Sequence, residues 1–330
     1  MSDCIDIHTH IVPENFPAYA GKGRDVPWPA MAEAHACHRH VMISGKVYRT
    51  VADGSWSVPR RIEAMGAMRV ARQALSPMPE LLSYWLPLED GKALIRYLNE
   101  QIAEMVALSP QRFIGLGAVP LQDIDSALRE LEFTVKDLKF AGVEIASHVN
   151  GVSIGDARFE PFFAEAVRIG AAIFVHALRP AGQERIVGAF AEQAVCFPGD
   201  IALAAASMIT GGIAARHPKL RIAFSHGGGA LSILLPRLVH AWNAIPKAKE
   251  SLAESPAVYA RRFFYDALVF DPAAVRFVID SFGSTQVCIV SDYPFNMGDD
   301  DPLGTVEKTG LDAGVLAAVR SANAQRFLGL

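Results

Sequence analysis

Short apolar runs alternate with amphipathic stretches along most of this 330-residue chain. The runs have the composition of strands and begin at residues 4, 70, 113, 142, 172, 220, 263 and 287. Strands separated by helical patterns indicate parallel strands joined by crossover helices. This alternation predicts an α/β fold, a distorted (β/α)8 TIM barrel. A doubly wound open sheet is the alternative architecture for the same pattern.

The longest interruption of the alternation, residues 12–59, is rich in Pro, Gly, His and Arg. Long loops in compact domains are usually functional. Two short β-rich segments, 41–43 and 46–49, flank Ser44-Gly45 within this stretch. We therefore predict one barrel domain over residues 1–330, in which residues 12–59 form a small β-rich insertion after the first strand that covers the active site.

Composition and charge argue against several classes of function. Hydrophobic residues make up 51% of the chain, charged residues 20%, and the formal net charge is −4, unlike a general binder of nucleic acids or membrane surfaces. Apolar runs such as 201–208 are too short to span a bilayer. The four cysteines lack CxxC spacing, and no basic signal region precedes the first strand. We expect a cytoplasmic protein whose partner is a small molecule, not a nucleic acid or a membrane.

The first strand carries a pair of histidines. Side chains alternate along a strand, so His8 and His10 lie on one face and Ile5 and Ile7 on the other, where they would pack under the helices. Neutral imidazole is a good ligand for zinc and similar ions. The pair alone also fits two solvated histidines at a polar strand end.

Three later runs also end in residues that bind metals or move protons: His176, His226 and Asp292. Each residue follows an apolar run and precedes a turn, which puts it at the carboxyl end of its strand, where barrel active sites are built. Three nitrogens and one oxygen suit zinc and leave a position for water. We predict one divalent metal ion with the ligands His8, His10, His176 and Asp292.

These residues lie in motifs that resemble the amidohydrolase-related metal-dependent decarboxylases, most closely the aminocarboxymuconate-semialdehyde decarboxylase branch. The motifs are I-D-I-H-T-H at 5–10, F-V-H at 174–176, F-S-H-G-G-G at 224–229 and V-S-D-Y-P-F at 290–295. The resemblance extends over nearly the whole chain. It implies that the same four residues bind the metal, usually zinc with manganese as the alternative.

The resemblance also implies roles for the other candidates. His226 would be the catalytic acid and base, beside Asp292, which we assign to catalysis as well as to the metal. Arg49 would bind a substrate carboxylate, and Lys46 is a second cation nearby in sequence. Phe295 retains one aromatic side chain of the family's substrate site. Arg237 would reach into the neighbouring subunit's site, which implies a homodimer.

One segment departs from the family's pattern. After His176 the decarboxylases continue Pro-Trp-Asp, whereas this chain has Ala177-Leu178-Arg179. The aromatic residues that line the family's substrate site are replaced here by Ala189 and Gln193, with Phe190 nearby. The chemistry is therefore expected to be kept while the substrate differs, and Arg179 becomes an additional candidate cation.

The expected reaction is non-oxidative, metal-dependent decarboxylation of a small unsaturated or aromatic carboxylic acid. Hydrolysis of a lactone or an amide, or hydration, would use the same ion and base. The fourth strand has Glu144 and no lysine to bridge a second metal, which favours a single ion. A non-catalytic barrel would be expected to have lost ligands, and none of the five positions is lost.

Other polar residues have two interpretations each. Glu144 is a candidate fifth ligand or a hydrogen-bonded structural residue, and Asp6 could orient a metal ligand. A dense group in the insertion could form a second zinc site or a loop over the substrate, and its spacing matches no zinc module. That group is His35, Cys37, His38 and His40.

Overall fold

The computed structural model describes residues 3–188 and 190–330. Its strands, in chain order, are β1 (Ile5–Ile11), β2 (Ala30–Glu33), β3 (His38–Ile43), β4 (Lys46–Ala52), β5 (Arg72–Pro77), β6 (Phe113–Gly117), β7 (Gly142–Ala146), β8 (His148–Val149), β9 (Val152–Ser153), β10 (Ala172–His176), β11 (Arg221–Phe224), β12 (Phe264–Asp266) and β13 (Val287–Cys288).

The α-helices lie mainly between the strands. They are α1 (Val58–Ala67), α2 (Leu88–Leu108), α3 (Ile124–Lys136), α4 (Glu160–Ile169), α5 (Phe197–Thr210), α6 (Ile213–Arg216), α7 (Leu231–Ala244), α8 (Pro246–Ser251), α9 (Pro256–Ala260), α10 (Pro272–Phe282), α11 (Pro302–Glu307), α12 (Ala313–Ala317) and α13 (Asn323–Leu328). The N-caps of α3 and α10 are Asp123 and Asp271, whose carboxylates accept backbone N–H bonds of the first turn.

One eight-stranded parallel sheet forms the barrel, in the order β1-β5-β6-β7-β10-β11-β12-β13. The segment after β13 returns to β1 and closes the sheet. The His10 N–H donates to the Tyr293 carbonyl at 2.8 Å, and the Asp292 N–H donates to the His8 carbonyl at 2.9 Å. The predicted (β/α)8 architecture is confirmed.

The barrel interior is a separate apolar cluster from the layer between strands and helices. Ile5 and Ile7 lie in this interior cluster with Phe174, and α13 contributes Phe327 to it at the lower end of the barrel. Our prediction that Ile5 and Ile7 pack under the helices is therefore wrong. The pairing of β1 with β5 shifts register between residues 6 and 9, so the simple two-residue alternation is interrupted there.

The insertion contains a three-stranded antiparallel sheet in the order β2-β3-β4. The predicted hairpin is present, with Ile43 paired to Lys46 and positive φ at both turn residues, Ser44 (53°) and Gly45 (72°). β2 was not predicted, because its four residues carry no clear alternation.

A continuous helical run, Glu192–Thr210, is long and apolar enough by length and composition to cross a membrane. Its second part is α5, which contributes Ile201, Ala205 and Met208 to the main core cluster. The helix therefore packs against the core along one part of its surface, and 39% of its apolar window is buried.

Candidate metal centre and active site

The four predicted metal ligands converge at the carboxyl end of the barrel. His8 and His10 lie on β1, His176 is the last residue of β10, and Asp292 follows β13. All four are buried, and their potential ligand atoms lie within 4.8 Å of one another. Within residues 3–188 and 190–330, no other group of three or more His, Cys, Asp or Glu side chains is arranged in this way.

Hydrogen bonds at Nδ1 determine the tautomer of each imidazole. In all three rings Nδ1 contacts an oxygen that accepts a hydrogen bond, so Nδ1 donates and the Nε2 lone pair faces the centre of the cluster. The pairs are His8 with Asp266 Oδ2 (2.8 Å), His10 with the Pro77 carbonyl (3.1 Å) and His176 with the Ala177 carbonyl (2.7 Å).

When the three rings are neutral, the inward-facing atoms are all electron donors, and a cation between them would offset their mutual repulsion. His8 Nε2 and His10 Nε2 are 3.1 Å apart, and Asp292 Oδ1 lies 3.4 Å and 3.1 Å from them. Asp292 Oδ1 is buried and has no hydrogen-bond partner among the described residues. Three imidazole lone pairs and a carboxylate oxygen are a suitable donor set for a divalent ion, so the residues fit a metal.

The electrostatics of the cluster also favour a cation. Burial opposes the protonated form of His8, but its bond to Asp266 and the nearby carboxylates raise its pKa to about 9. Burial opposes ionisation of Asp292, yet His10 and the other imidazoles hold its pKa below the ordinary value. The site therefore concentrates negative charge that a metal ion would balance.

Asp266 is a functional candidate that sequence reasoning missed. It is the last residue of β12 and is fully buried. One carboxylate oxygen accepts from His8 Nδ1, and the other accepts from the backbone N–H groups of Gly227 (2.7 Å) and Leu268 (3.1 Å). The signal was present, because Asp266 ends an apolar run in the same way as His176 does.

We expect Asp266→Asn to lower metal affinity by about 10- to 100-fold, the usual cost of losing a partner that orients a metal-binding histidine. The amide no longer carries the charge that holds the proton on His8 Nδ1. Metal retention during chelator titration measures the effect. Asp200→Asn is the matched control, because Asp200 is a buried carboxylate that bonds Ser147 instead of a histidine. Equal metal retention in the two variants would contradict the role of Asp266.

His226 lies in a left-handed turn immediately after β11. Its φ is +54°, and Gly227, Gly228 and Gly229 follow with φ of +65°, +74° and +59°. A Cβ atom at position 229 would overlap the Pro198 carbonyl oxygen, so only glycine fits there. This turn places the backbone at Gly229 against α5 and directs His226 towards the predicted metal ligands.

The His226 ring is close to the predicted metal ligands and is not part of the His-His-His-Asp group. Its centroid lies 5.7 Å from that of His8 and 5.0 Å from that of His176. Its Nδ1 lies 3.0 Å from Ser225 Oγ. Burial lowers the pKa of His226 to about 4, so the ring is neutral near pH 7 and can accept a proton.

A cavity of about 1300 Å³ opens above the metal ligands. Arg49 and Phe295 line it beside His176, His226 and Asp292. The Phe295 ring stacks on His10 with centroids 5.1 Å apart, and the Arg49 guanidinium carbon lies 4.4 Å from the Phe295 centroid. Arg49 forms no ion pair with a carboxylate of the described residues, so its charge is available to an acidic ligand.

The fold and these site residues agree with a known family. The sequence model described as "Amidohydrolase" matches residues 5–330. The chain belongs to the amidohydrolase family.

This amidohydrolase is 34% identical over 328 residues to 2-amino-3-carboxymuconate-6-semialdehyde decarboxylase of Dictyostelium discoideum, covering 99% of this chain and 91% of that protein. It also resembles the crystal structure of 5-carboxyvanillate decarboxylase from Sphingomonas paucimobilis, with 28% identity and a TM-score of 0.75 over 82% of each chain. A Polaromonas dihydroxybenzoic acid decarboxylase, solved with bound manganese, shares the fold, with a TM-score of 0.78, 19% identity, and coverage of 100% and 98% of the two chains. The predicted enzyme class, a carboxy-lyase, is confirmed.

The segment that departs from the family pattern lies on the cavity wall. Arg179 does not offer an unpaired charge, because its Nε and Nη2 lie 3.0 and 2.5 Å from Glu80 Oε1. Its guanidinium carbon also lies 3.3 Å from the Trp85 ring centroid. Burial raises the pKa of Glu80, although Arg179 opposes this. Sequence reasoning missed this pair, because Glu80 and Arg179 are far apart in the chain.

Several predicted residues of the amidohydrolase lie outside the cavity. Lys46 is exposed at the start of β4 and does not line the cavity that Arg49 lines. Arg237 is exposed on α7 and likewise does not line its own chain's cavity. Phe190 is 79% exposed, and Ala189 lies outside the described residues. Gln193 does line the cavity, together with Phe197, which was not predicted.

The remaining candidates, Glu144 and Asp6, form hydrogen bonds with other groups of the protein. Burial raises the pKa of Glu144 to about 8; its Oε2 accepts from Ser76 Oγ at 2.6 Å, and it is not part of the metal-ligand group. Asp6 accepts from Ser291 and from the His8 backbone N–H, so it does not orient the His8 ring as we expected. Asp266 accepts the hydrogen bond from His8 Nδ1 and orients the ring instead.

The histidines of the insertion do not form a second metal cluster within the described part of the chain. His35 and His38 line the cavity, with ring centroids 4.3 Å apart, and Cys37 Sγ lies 3.5 Å from His38 Nδ1. The insertion therefore contributes directly to the wall of the cavity.

Proposed function

We propose that this amidohydrolase is a metal-dependent, non-oxidative decarboxylase of a small aromatic or unsaturated carboxylic acid. The observation that carries the proposal is the juxtaposition of three elements in one cavity. These are the His-His-His-Asp group, of which His176 and Asp292 line the cavity, the neutral imidazole of His226 and the guanidinium of Arg49, which forms no ion pair with a described carboxylate. The names of the relatives, which are decarboxylases of carboxylated muconate and vanillate compounds, support the same reaction.

His8, His10, His176 and Asp292 would hold one divalent ion, for which zinc is our first candidate and manganese the second. When bound there, the ion supplies positive charge that stabilises negative charge on substrate oxygens and makes a neighbouring water more acidic. The Nδ1 bonds of the three rings hold them in the tautomer that this binding requires.

Arg49 and Phe295 would position the substrate. The planar guanidinium group of Arg49 is suited to binding a carboxylate through two hydrogen bonds. Phe295, held against His10, offers a flat surface for a conjugated or aromatic body. Leu178, Phe197 and Leu268 also line the cavity and exclude water from the substrate. The site thereby favours a planar acid over an extended polar one.

His226 would move the proton. Its neutral ring, adjacent to the predicted metal ligands, would take up one proton from solvent. It would then donate that proton to the substrate carbon as the bond to the carboxylate breaks, CO₂ leaves and the electron pair of that bond stays on the carbon. Arg179, paired with Glu80, would shape the outer wall without binding the departing carboxylate.

The reaction class is tested by measuring CO₂ release from a panel of acids by the metal-loaded enzyme. The panel contains aminocarboxymuconate semialdehyde, 5-carboxyvanillate and dihydroxybenzoates, with their decarboxylated products as blanks. We expect CO₂ release from at least one acid and none from Arg49→Ala at the same substrate concentration. Hydrolysis of a lactone or amide panel, or hydration of an unsaturated acid, without CO₂ from any carboxylate would contradict the proposal.

We further propose that the enzyme works as a homodimer in which Arg237 serves the neighbouring subunit. Leu231 and Leu235 on α7 are buried in their own chain, whereas Ile233 and Leu234 on the same helix are 68% and 45% exposed. Leu203 on α5, which packs against α7, is 63% exposed. This apolar surface beside Arg237 supports a two-fold contact.

Mixing inactive subunits tests the shared site. Arg237→Ala and His226→Asn should each be inactive alone, because each dimer lacks one group in both sites. After free subunit exchange about half the dimers are mixed and contain one complete site, so about a quarter of wild-type activity should return. His240→Ala, an exposed change on the same helix, is the control and should keep full activity. Demonstrated exchange with no recovery would place Arg237 outside the partner's site.

A further inference from the structure

A second cavity, of about 350 Å³, lies at the opposite end of the barrel from the metal ligands. Its lining includes the first residues of β5, β6 and β11, together with the segment after α13. Buried apolar side chains form much of its wall: Phe113, Ile114 and Phe140. This end of a TIM barrel is not where its catalytic residues lie.

Three cationic side chains line this cavity: Arg72, Lys139 and Arg221. Among the described residues that line it, none is an Asp or a Glu. The side chains of Arg72 and Lys139 form no hydrogen bond or ion pair with the described residues, and Arg72 Nε is buried without a partner. Arg221 donates to the Gly170 carbonyl, and it forms no ion pair with a carboxylate of the described residues.

This arrangement differs from that of the ten described arginines that pair with a carboxylate. Arg69, Arg96 and Arg216, for example, each pair with a carboxylate at 3.0 Å or less. Two half-buried guanidinium groups beside apolar walls lose hydration that no carboxylate replaces. Burial lowers the pKa of Arg72 and of Arg221. An anion in the cavity would place negative charge beside the three cations.

We propose that this cavity binds a small oxyanion, a phosphate or carboxylate group. Guanidinium groups bind either kind of oxyanion through paired hydrogen bonds, and Lys139 at the exposed rim adds a third positive charge. Phe113, Ile114 and Phe140 form a buried apolar layer beside these cations. The site is separate from the catalytic cavity and does not depend on the proposed reaction.

Isothermal titration calorimetry tests the site with two probes, inorganic phosphate and phthalate, at constant ionic strength set with NaCl. We expect the metal-loaded wild-type enzyme to bind at least one probe. Lys139→Asn, at an exposed residue with φ of +60° that Asn tolerates, should raise Kd by about tenfold or more. The double variant that combines Lys139→Asn with Arg221→Gln should abolish binding. The probe that binds distinguishes the phosphate source from the carboxylate source.

Two control variants separate binding in this cavity from anion binding elsewhere on the protein. Lys247→Ala removes an exposed cation on α8 that does not line the cavity and should leave Kd unchanged. Arg49→Ala alters the catalytic cavity and should also leave Kd unchanged. The proposal is overturned if neither probe binds, if binding survives in the double variant, or if Arg49→Ala is the change that removes it.

Discussion

His10→Gln is expected to leave the purified protein with almost no bound divalent metal and no measurable turnover. His10 Nε2 lies 3.1 Å from both His8 Nε2 and Asp292 Oδ1, at the centre of the donor group. Removing one of four protein ligands should weaken metal binding by more than about 10²-fold, beyond the usual effect of losing an orienting partner. Elemental analysis after dialysis, with one ion per chain expected for the wild type, measures the loss.

The control for this change is His240→Gln, which replaces an exposed histidine on α7 and should keep both metal and activity. Circular dichroism at low temperature should show that His10→Gln retains its secondary structure, and glutamine keeps most of the buried volume. Its melting temperature should no longer rise when zinc or manganese is added, because ligand-linked stabilisation requires binding. An unchanged metal content in His10→Gln, or two ions per wild-type chain, would contradict the predicted mononuclear centre.

Much of the barrel and of the metal group could be predicted because both depend on local pattern. Each strand is a short apolar run, and the carboxyl ends of parallel strands must meet at one end of a barrel. His8, His10 and His176 therefore had to lie near one another once the fold was known. The position of Asp292 follows less directly from the strand pattern. Asp292 lies beyond β13, and its backbone N–H donates to the His8 carbonyl, which holds it at the site.

The parts that could not be predicted depend on contacts between distant segments. The register shift in β1 places Ile5 and Ile7 inside the barrel, and no feature of those residues alone indicates it. The pairing of Arg179 with Glu80 joins the loop after β10 to a turn after β5. A charged residue near a site in sequence can thus be neutralised by a partner that only the fold brings close.

The position of Lys46 relative to the cavity could not be predicted from the sequence either. It lies three residues from Arg49 on β4, yet Arg49 lines the cavity and Lys46 is exposed. The register of β4 shifts beside residues 47–49, where β3 and β4 do not pair one to one. Proximity in sequence therefore did not establish that both cations face the substrate.

His226→Asn is expected to keep its metal and its fold while turnover falls by about 10²- to 10⁴-fold, the usual contribution of a general acid or base. Asparagine tolerates the left-handed backbone at φ +54° better than most residues, so the turn into α7 should be preserved. The amide cannot accept and return a proton as the neutral imidazole does. Substrate affinity should change little, because Arg49 and Phe295 remain in place.

The measurement that distinguishes a metal ligand from a proton carrier at position 226 is kcat together with metal content. His226 is close to His8 and His176 by ring distance but is not among the four side chains whose ligand atoms converge. A metal ligand at this position would lose the ion on substitution, as His10→Gln should; a proton carrier would lose only the turnover. If His226→Asn loses its metal in parallel with its activity, then His226 binds the ion and another residue must move the proton.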